Sequence, residues 1–286
     1  GGMDGRASFT WSSVDNANAE SAQARFGTGA VVVAVDATRR RSGDYATPVA
    51  PVSTRWAAAT DSTPLPEKRL RNVGLEADSW GLGASLVSDD GGFIGLSVKR
   101  TDTGYGVPYP QVATSGDPDR VRLNMKQTRW DLRGETPVSE GWIDTVRLSV
   151  GHADYQHAEI DLAAGAVGTR FLSRGTEGRL EFIQRSAASR QGAVGLQALT
   201  RSLRAIGDEA FIPNVEIREL GLFTLQRVEF GAFGIDAGAR VDSRELRANL
   251  SGRLTSAPAQ GLGLDWSRTG AARTCAGVCA RTAMNR

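Results

Sequence analysis

The segment Trp142-Ile143-Asp144-Thr145-Val146-Arg147-Leu148-Ser149-Val150 decides how this chain is read. Val146, Leu148 and Val150 share one parity, and Thr145, Arg147 and Ser149 share the other. Successive side chains of a β-strand point to opposite faces, so this alternation predicts a strand with one apolar and one polar face. The pattern recurs on both sides of it. Ile94, Leu96 and Val98 oppose Gly95, Ser97 and Lys99, while Ala7, Phe9 and Trp11 oppose Arg6, Ser8, Thr10 and Ser12. Val194, Leu196 and Ala198 oppose Ala193, Gly195 and Gln197. Phe233, Ile235, Ala237, Ala239 and Val241 oppose Gly234, Asp236, Gly238, Arg240 and Asp242. No segment sustains a 3.6-residue period with caps, so the chain reads as all-β.

The connections extend the argument. Short polar turns are predicted at residues 88–91, 136–141, 187–191 and 230–232. Long connections, at about 40–71, 101–120, 159–173 and 204–217, alternate with them. A barrel in an outer membrane has this asymmetry, with short turns at one end and long loops at the other. The reading is therefore an antiparallel transmembrane β-barrel, present in part, with about ten strands. Trp130 and Trp142 flank the 136–141 turn, where an interfacial aromatic girdle is expected, and Trp80 lies nearer the opposite rim. Val121, Leu123 and Met125 share one parity and Trp130 and Leu132 the other, which predicts a β-bulge near residues 127–129.

Composition narrows the classes. The longest apolar run, Ala30 to Val35, is far below the roughly 20 residues of a spanning helix. The 34 Lys and Arg nearly balance 32 Asp and Glu, which excludes a strongly basic nucleic-acid binder. A mean hydropathy of −0.27 suits a barrel as well as a water-soluble protein, because polar lumen and loop residues dilute the lipid face. The segment Gly1–Asp4 has no features of an export signal, so under the barrel reading such a signal lies upstream. Alternation fades near the end, giving a partial barrel over residues 1–254 and an irregular tail over 255–286. Cys275 and Cys279 stand in that tail without a second ligand pair, a poor zinc site.

Several phrases, taken in order, resemble the barrel of a TonB-dependent outer-membrane receptor. They are Arg40-Arg41-Ser42-Gly43-Asp44-Tyr45, Gly91-Gly92-Phe93-Ile94-Gly95-Leu96-Ser97 and Tyr105-Gly106-Val107-Pro108. The run from Val121 to Glu135 is the most distinctive, followed by Gly151-His152-Ala153-Asp154-Tyr155-Gln156-His157 and Gly207-Asp208-Glu209-Ala210-Phe211-Ile212-Pro213. The order is most similar to the zinc-uptake subgroup and covers about residues 5–250. The resemblance implies a larger barrel of 22 strands, a plug driven through TonB, residence in the Gram-negative outer membrane and a metal or metal-chelate cargo. It also implies outer-membrane lipid as a partner and no resident cofactor. The plug and its TonB-contacting segment have no counterpart here, and residues 109–119 lack the His-rich stretch of zinc-type relatives.

Candidate ligand groups are few. His152 and His157 are five apart, hence on opposite faces, with His157 sharing the lumenal parity of Arg147 and Ser149. His157 with Glu159 and Asp161 offers mixed nitrogen and oxygen donors, and Asp208 and Glu209 join them if the two loops meet. An exposed rim histidine beside solvated carboxylates is the plainer reading. Arg39, Arg40 and Arg41 suit an anionic chelate or lipopolysaccharide phosphates, or simply a solvated rim. No G-x-S-x-G, phosphate loop or H-E-x-x-H is present, so no enzyme is expected. A passive porin and a soluble β-sandwich binding module remain the alternatives.

Overall fold

The alternating segments are realised as long strands in a computed structural model that describes residues 1–113, 120–186, 189–231, 233–249 and 273–284. They are β1 (Gly2–Ser12), β2 (Ala17–Thr28) and β3 (Val31–Ser42), then the two-residue β4 (Tyr45–Ala46) and β5 (Arg69–Leu70). There follow β6 (Leu75–Val87), β7 (Phe93–Gly106), β8 (Val121–Pro137), β9 (Ile143–Asp161) and β10 (Ala166–Gln184). The last are β11 (Arg190–Ile206), β12 (Asn214–Phe230), β13 (Phe233–Asn249) and β14 (Arg273–Met284). Apart from β4 and β5, which pair with each other, these form one antiparallel sheet of nearest neighbours in chain order. Among the described residues β1 and β14 each have a single neighbour, so the wall is open on two edges.

Several expectations change. The sheet holds twelve strands rather than about ten. One short helix, α1 (Thr54–Ala59), interrupts the all-β reading, its first turn capped by Ser53 Oγ accepting from the Trp56 amide. The stretch 159–173 is not a long loop. β9 runs on to Asp161, whose Oδ1 accepts from the amides of Ala163 (2.7 Å) and Ala164 (3.1 Å), and Gly165 supplies the positive φ of +64° that turns the chain into β10. One end of the sheet thus holds every long connection, together with tight turns at β1–β2 and β9–β10. Residues 255–272 lie outside the described residues, whereas Arg273–Met284 pairs with β13 rather than forming an irregular tail.

The bulge expected near 127–129 is absent: β8 pairs with β7 and β9 in unbroken register. The parity changes because the two halves of β8 have different surroundings. Trp130 and Leu132 lie on the apolar face beside Val98, Leu96 and Val150. Leu123 and Met125 lie on the opposite face, in register with Tyr105, Glu159 and His157, beyond the band where alternation is demanded. A register shift does occur in β10, between Val167 and Thr169.

Cross-strand register gathers the apolar residues onto one face. Val35, Leu82, Val98 and Trp130 follow one another across β3, β6, β7 and β8, and Val150, Leu148, Leu180, Leu196 and Leu222 continue the face through β12. Among the described residues no second layer covers these side chains: Leu82, Leu96 and Leu222 are 49%, 52% and 60% exposed. On β9 the apolar stretch from Asp144 to His152 measures about 27 Å along the strand, which at a tilt of about 40° spans about 21 Å of the roughly 25 Å lipid band of a barrel. Trp130 stands at the edge of that band in register with His152, six residues or more from the 138–142 turn. Trp130 and Trp142 therefore mark opposite edges rather than one girdle.

Candidate functional site

The polar face is lined by arginines and carboxylates held in pairs. Arg129 bonds Asp131, Arg179 bonds Glu181 and Arg240 bonds Asp242, each at 2.7 Å and each two residues along one strand. Arg147–Glu135 and Arg244–Glu219 join directly opposed residues at 2.7 Å. Glycines make room for the larger groups. Lys99 on β7 reaches Asp36 on β3 at 3.0 Å across Gly81, where an added Cβ would lie 3.0 Å from the Asp36 carboxyl carbon. Gly195 faces the Phe223 ring, over which the Arg179 and Arg240 guanidinium carbons stand 4.2 Å and 5.8 Å from the centroid.

Toward the long-loop end this face becomes aromatic. Met125, His157 and Phe171 lie side by side on β8, β9 and β10. The His157 ring meets Phe171 at a centroid distance of 5.5 Å and Tyr155 edge-on at 6.3 Å. Its Nδ1 lies 3.2 Å from the Tyr155 hydroxyl, and its Nε2 is buried with no hydrogen-bond partner among the described residues.

The sequence-derived candidates are brought together only in part. His157 and Glu159 share the polar face, two residues apart on β9, while His152 stands on the apolar side, in register with Trp130. Asp161 is committed to its own turn. Asp208 and Glu209 lie in the connection after β11. The Glu209 amide donates to the Gly168 carbonyl at 3.4 Å, and its carboxylate covers Gly168 beside Thr169, which pairs with Glu159. The connection after β11 thus meets the start of β10 beside Glu159. Among the described residues, however, no three His, Cys, Asp or Glu side chains converge as a metal group.

A packed cap at the long-loop end escaped the sequence reading. Gln111, 1% exposed, donates from Nε2 to the Arg69 carbonyl (2.7 Å) and accepts the Arg71 amide at Oε1 (2.8 Å). Its carbonyl accepts the Leu65 amide at 2.9 Å, and Asn72 donates to the carbonyls of Val107 (2.7 Å) and Val121 (3.0 Å). The connection between β3 and β6 is thereby tied to the one between β7 and β8. Outside the strands, the Glu67 carboxylate on Arg71 raises the guanidinium pKa further above its usual value. A depression of about 370 Å³ between the two connections is lined by Pro51, Val52, Trp56, Leu70, Tyr109 and Pro110. A Ser53 cap three residues before Trp56, with prolines at 51, 64 and 66, was the available signal for this ordered segment.

A single antiparallel wall with one lipid-type face, one charge-paired face and a cap at the long-loop end defines part of a large transmembrane β-barrel. The solved structures with this fold agree. The iron transporter FrpB from Neisseria meningitidis matches with a TM-score of 0.63 at 13% identity, over 98% of this chain and 43% of its own. The copper transporter OprC matches at 0.66 and 12% identity, over 98% and 41%. A double mutant of the Serratia marcescens hemophore receptor HasR, in complex with its hemophore HasA and heme, matches at 0.57 and 15%, over 98% and 41%. This chain thus spans about two-fifths of those proteins. No family model and no curated protein matches it.

Proposed function

We propose that this chain is barrel wall of a TonB-dependent outer-membrane receptor that takes up a metal ion or metal chelate, of zinc or siderophore type. The observation that carries the reading is the wall itself: one face apolar and unpacked, the other paired in charge, beneath an ordered loop cap. A soluble sandwich needs a second layer against the apolar face, and the described residues supply none. Outer-membrane lipid is the partner of the apolar face, a plug belonging to the whole receptor fills the polar face, and TonB acts through that plug. No nucleic-acid partner, resident cofactor or catalysed reaction enters the scheme.

Within it, cargo meets the cap depression at Trp56 and Tyr109 and then the inner rim. His157, Glu159 and Glu209 serve there as transient nitrogen and oxygen donors, with Asp208 beside them and Asp161 holding the β9–β10 turn. Growth of a strain lacking the full-length protein, under zinc or iron starvation, tests the reading. Restoration by the wild-type protein only when TonB is present supports it. Restoration independent of TonB would favour the passive porin. His157→Ala is expected to raise the metal concentration needed for half-maximal growth while leaving barrel assembly unchanged.

A further inference from the structure

We infer that the inner rim holds a two-donor site for a soft monovalent cation, of the copper(I) or silver(I) class, built from His157 and Met125. The inference rests on the uptake reading above and names the cargo class of that rim. The chain has two histidines and three methionines, and the register sets one of each directly opposite: Met125 on β8 faces His157 on β9. Opposed residues on neighbouring antiparallel strands have Cβ atoms about 4.5–5.5 Å apart. Methionine is unbranched and has several rotatable bonds, so its sulfur can reach the imidazole without backbone movement. The imidazole has a nitrogen to spare. Its Nδ1 is engaged with the Tyr155 hydroxyl, whereas Nε2 is buried with no hydrogen-bond partner among the described residues. With Nδ1–H donating to the Tyr155 oxygen, the neutral ring carries its lone pair on Nε2, as in metal-bound histidines whose other nitrogen donates to an acceptor. A buried polar atom left unpaired is costly, and a bond from Nε2 to a cation removes that cost.

The surroundings select the ion. Thr103, Met125, His157, Phe171 and Ala205 form one row across β7 to β11, so the two donors stand in line with neutral side chains. Phe171 and Tyr155 add aromatic rings on either side of the imidazole. The cost of taking an ion out of water grows with the square of its charge, so an uncompensated dication costs about four times as much here as a monovalent ion of equal size. Glu159 lies two residues along β9 on the same face, about 6.7 Å away. Among the described residues no three His, Cys, Asp or Glu side chains gather into a metal group. Zinc is almost always held by four ligands and would need further donors at this place. Copper(I) and silver(I) take fewer and softer donors, thioether among them. Glu159 and Glu209 thus meet a cation in transit, and the Met125–His157 pair holds a soft one.

The test uses the full-length protein carrying this chain, in nonionic detergent and chloride-free buffer, with silver(I) as a probe that needs no reductant. Competition against a chromophoric chelator reads the affinity. Met125→Leu keeps the volume of the side chain and removes the sulfur. It is expected to weaken silver(I) binding about tenfold or more while leaving zinc(II) binding as in wild type. His157→Phe should weaken silver(I) to a similar degree, and Met125→Cys, which restores a sulfur, should recover most of the affinity lost in Met125→Leu. Copper(I), kept reduced with ascorbate, should follow the same order. Equal silver(I) affinity in wild type and Met125→Leu, or equal loss of silver(I) and zinc(II) in that variant, would overturn the site. Growth of a strain lacking the full-length protein separates the two levels. Met125→Leu is expected to raise the copper concentration needed for half-maximal growth under copper limitation and to leave zinc-limited growth unchanged. TonB-dependent growth indifferent to Met125 removes the soft site and leaves the uptake reading; Met125-dependent silver(I) binding without any TonB-dependent growth leaves the site and removes the uptake reading.

Discussion

The membrane reading makes its sharpest prediction at two adjacent residues. Leu96 and Ser97 are consecutive on β7 and point to opposite faces. Leu96 lies in register between Ala84 and Leu132, near the middle of the apolar band, and is 52% exposed in the chain alone. Ser97 lies between Gly83 and Asp131, on the polar face. An arginine at the midplane of a barrel's lipid face costs about 2–4 kcal/mol. At about 1.4 kcal/mol per decade, that is roughly a thirtyfold to several-hundredfold loss of folded protein at equilibrium. Ser97→Arg joins a hydrated, charge-paired surface and is expected to cost less than about 0.5 kcal/mol, the ordinary range for surface substitutions. The assay is urea-dependent folding of the full-length protein into lipid vesicles, followed by tryptophan emission and by heat-sensitive gel mobility. Were the apolar face in water, Leu96→Arg would replace exposed hydrocarbon with charge and cost nothing. Equal stability of the two variants, or greater solubility and stability of Leu96→Arg, would refute the assignment of that face to lipid.

Three further predictions concern the cap, a turn and the polar face. Gln111→Leu leaves the Arg71 amide and the Arg69 carbonyl without their buried partners, so amide exchange across residues 43–74 should accelerate as if the cap had lost about 1–3 kcal/mol. In the β6–β7 turn the Ser88 hydroxyl and the Gly92 amide donate to Asp90 and hold its carboxyl below the usual carboxylate pKa. Because the folded pKa is the lower one, the turn gains stability above the unfolded value near 3.9 and loses it as pH falls through the folded value. Amide exchange at residues 88–92 should therefore quicken on acidification, and Ser88→Ala should move the midpoint toward the unfolded value. Phe223→Ala removes the ring beneath Arg179 and Arg240 and is expected to cost about 0.5–1 kcal/mol beyond the lost ring contacts, read as a shift in the urea midpoint.

The sheet was legible because its cause is local. Alternation in 142–150 or 192–199 is imposed by two different solvents on the two faces of one strand, and each strand records it alone. Strand ends were not legible, because beyond the apolar band both faces meet water and alternation lapses. That is why β9 and β10 were cut short at 159–173 and why Leu123 and Met125 suggested a bulge. The pairing of His157 with Phe171, and of Glu209 with Gly168, depends on register between strands and on the fold of a distant connection. The residue types at 157, 159 and 209 were visible, but their proximity was not. Gln111 was invisible for a related reason: its partners at 69 and 71 lie about forty residues away, and nothing in its own neighbourhood marks it as buried.

The same locality explains the polar face. Arg129–Asp131, Arg179–Glu181, Arg227–Glu229 and Arg240–Asp242 are all pairs two residues apart within one strand. Side chains at i and i+2 share a face, so each pair forms whatever the register of the neighbouring strands. Individually such exposed pairs contribute little, about 0–1 kcal/mol. Their consequence is positional: a strand brings its positive charge to the interior already compensated. Where like charges do stand directly opposed, as Lys99 and Arg129 do across β7 and β8, each keeps a carboxylate of its own, Asp36 and Asp131, which offsets the destabilising opposition.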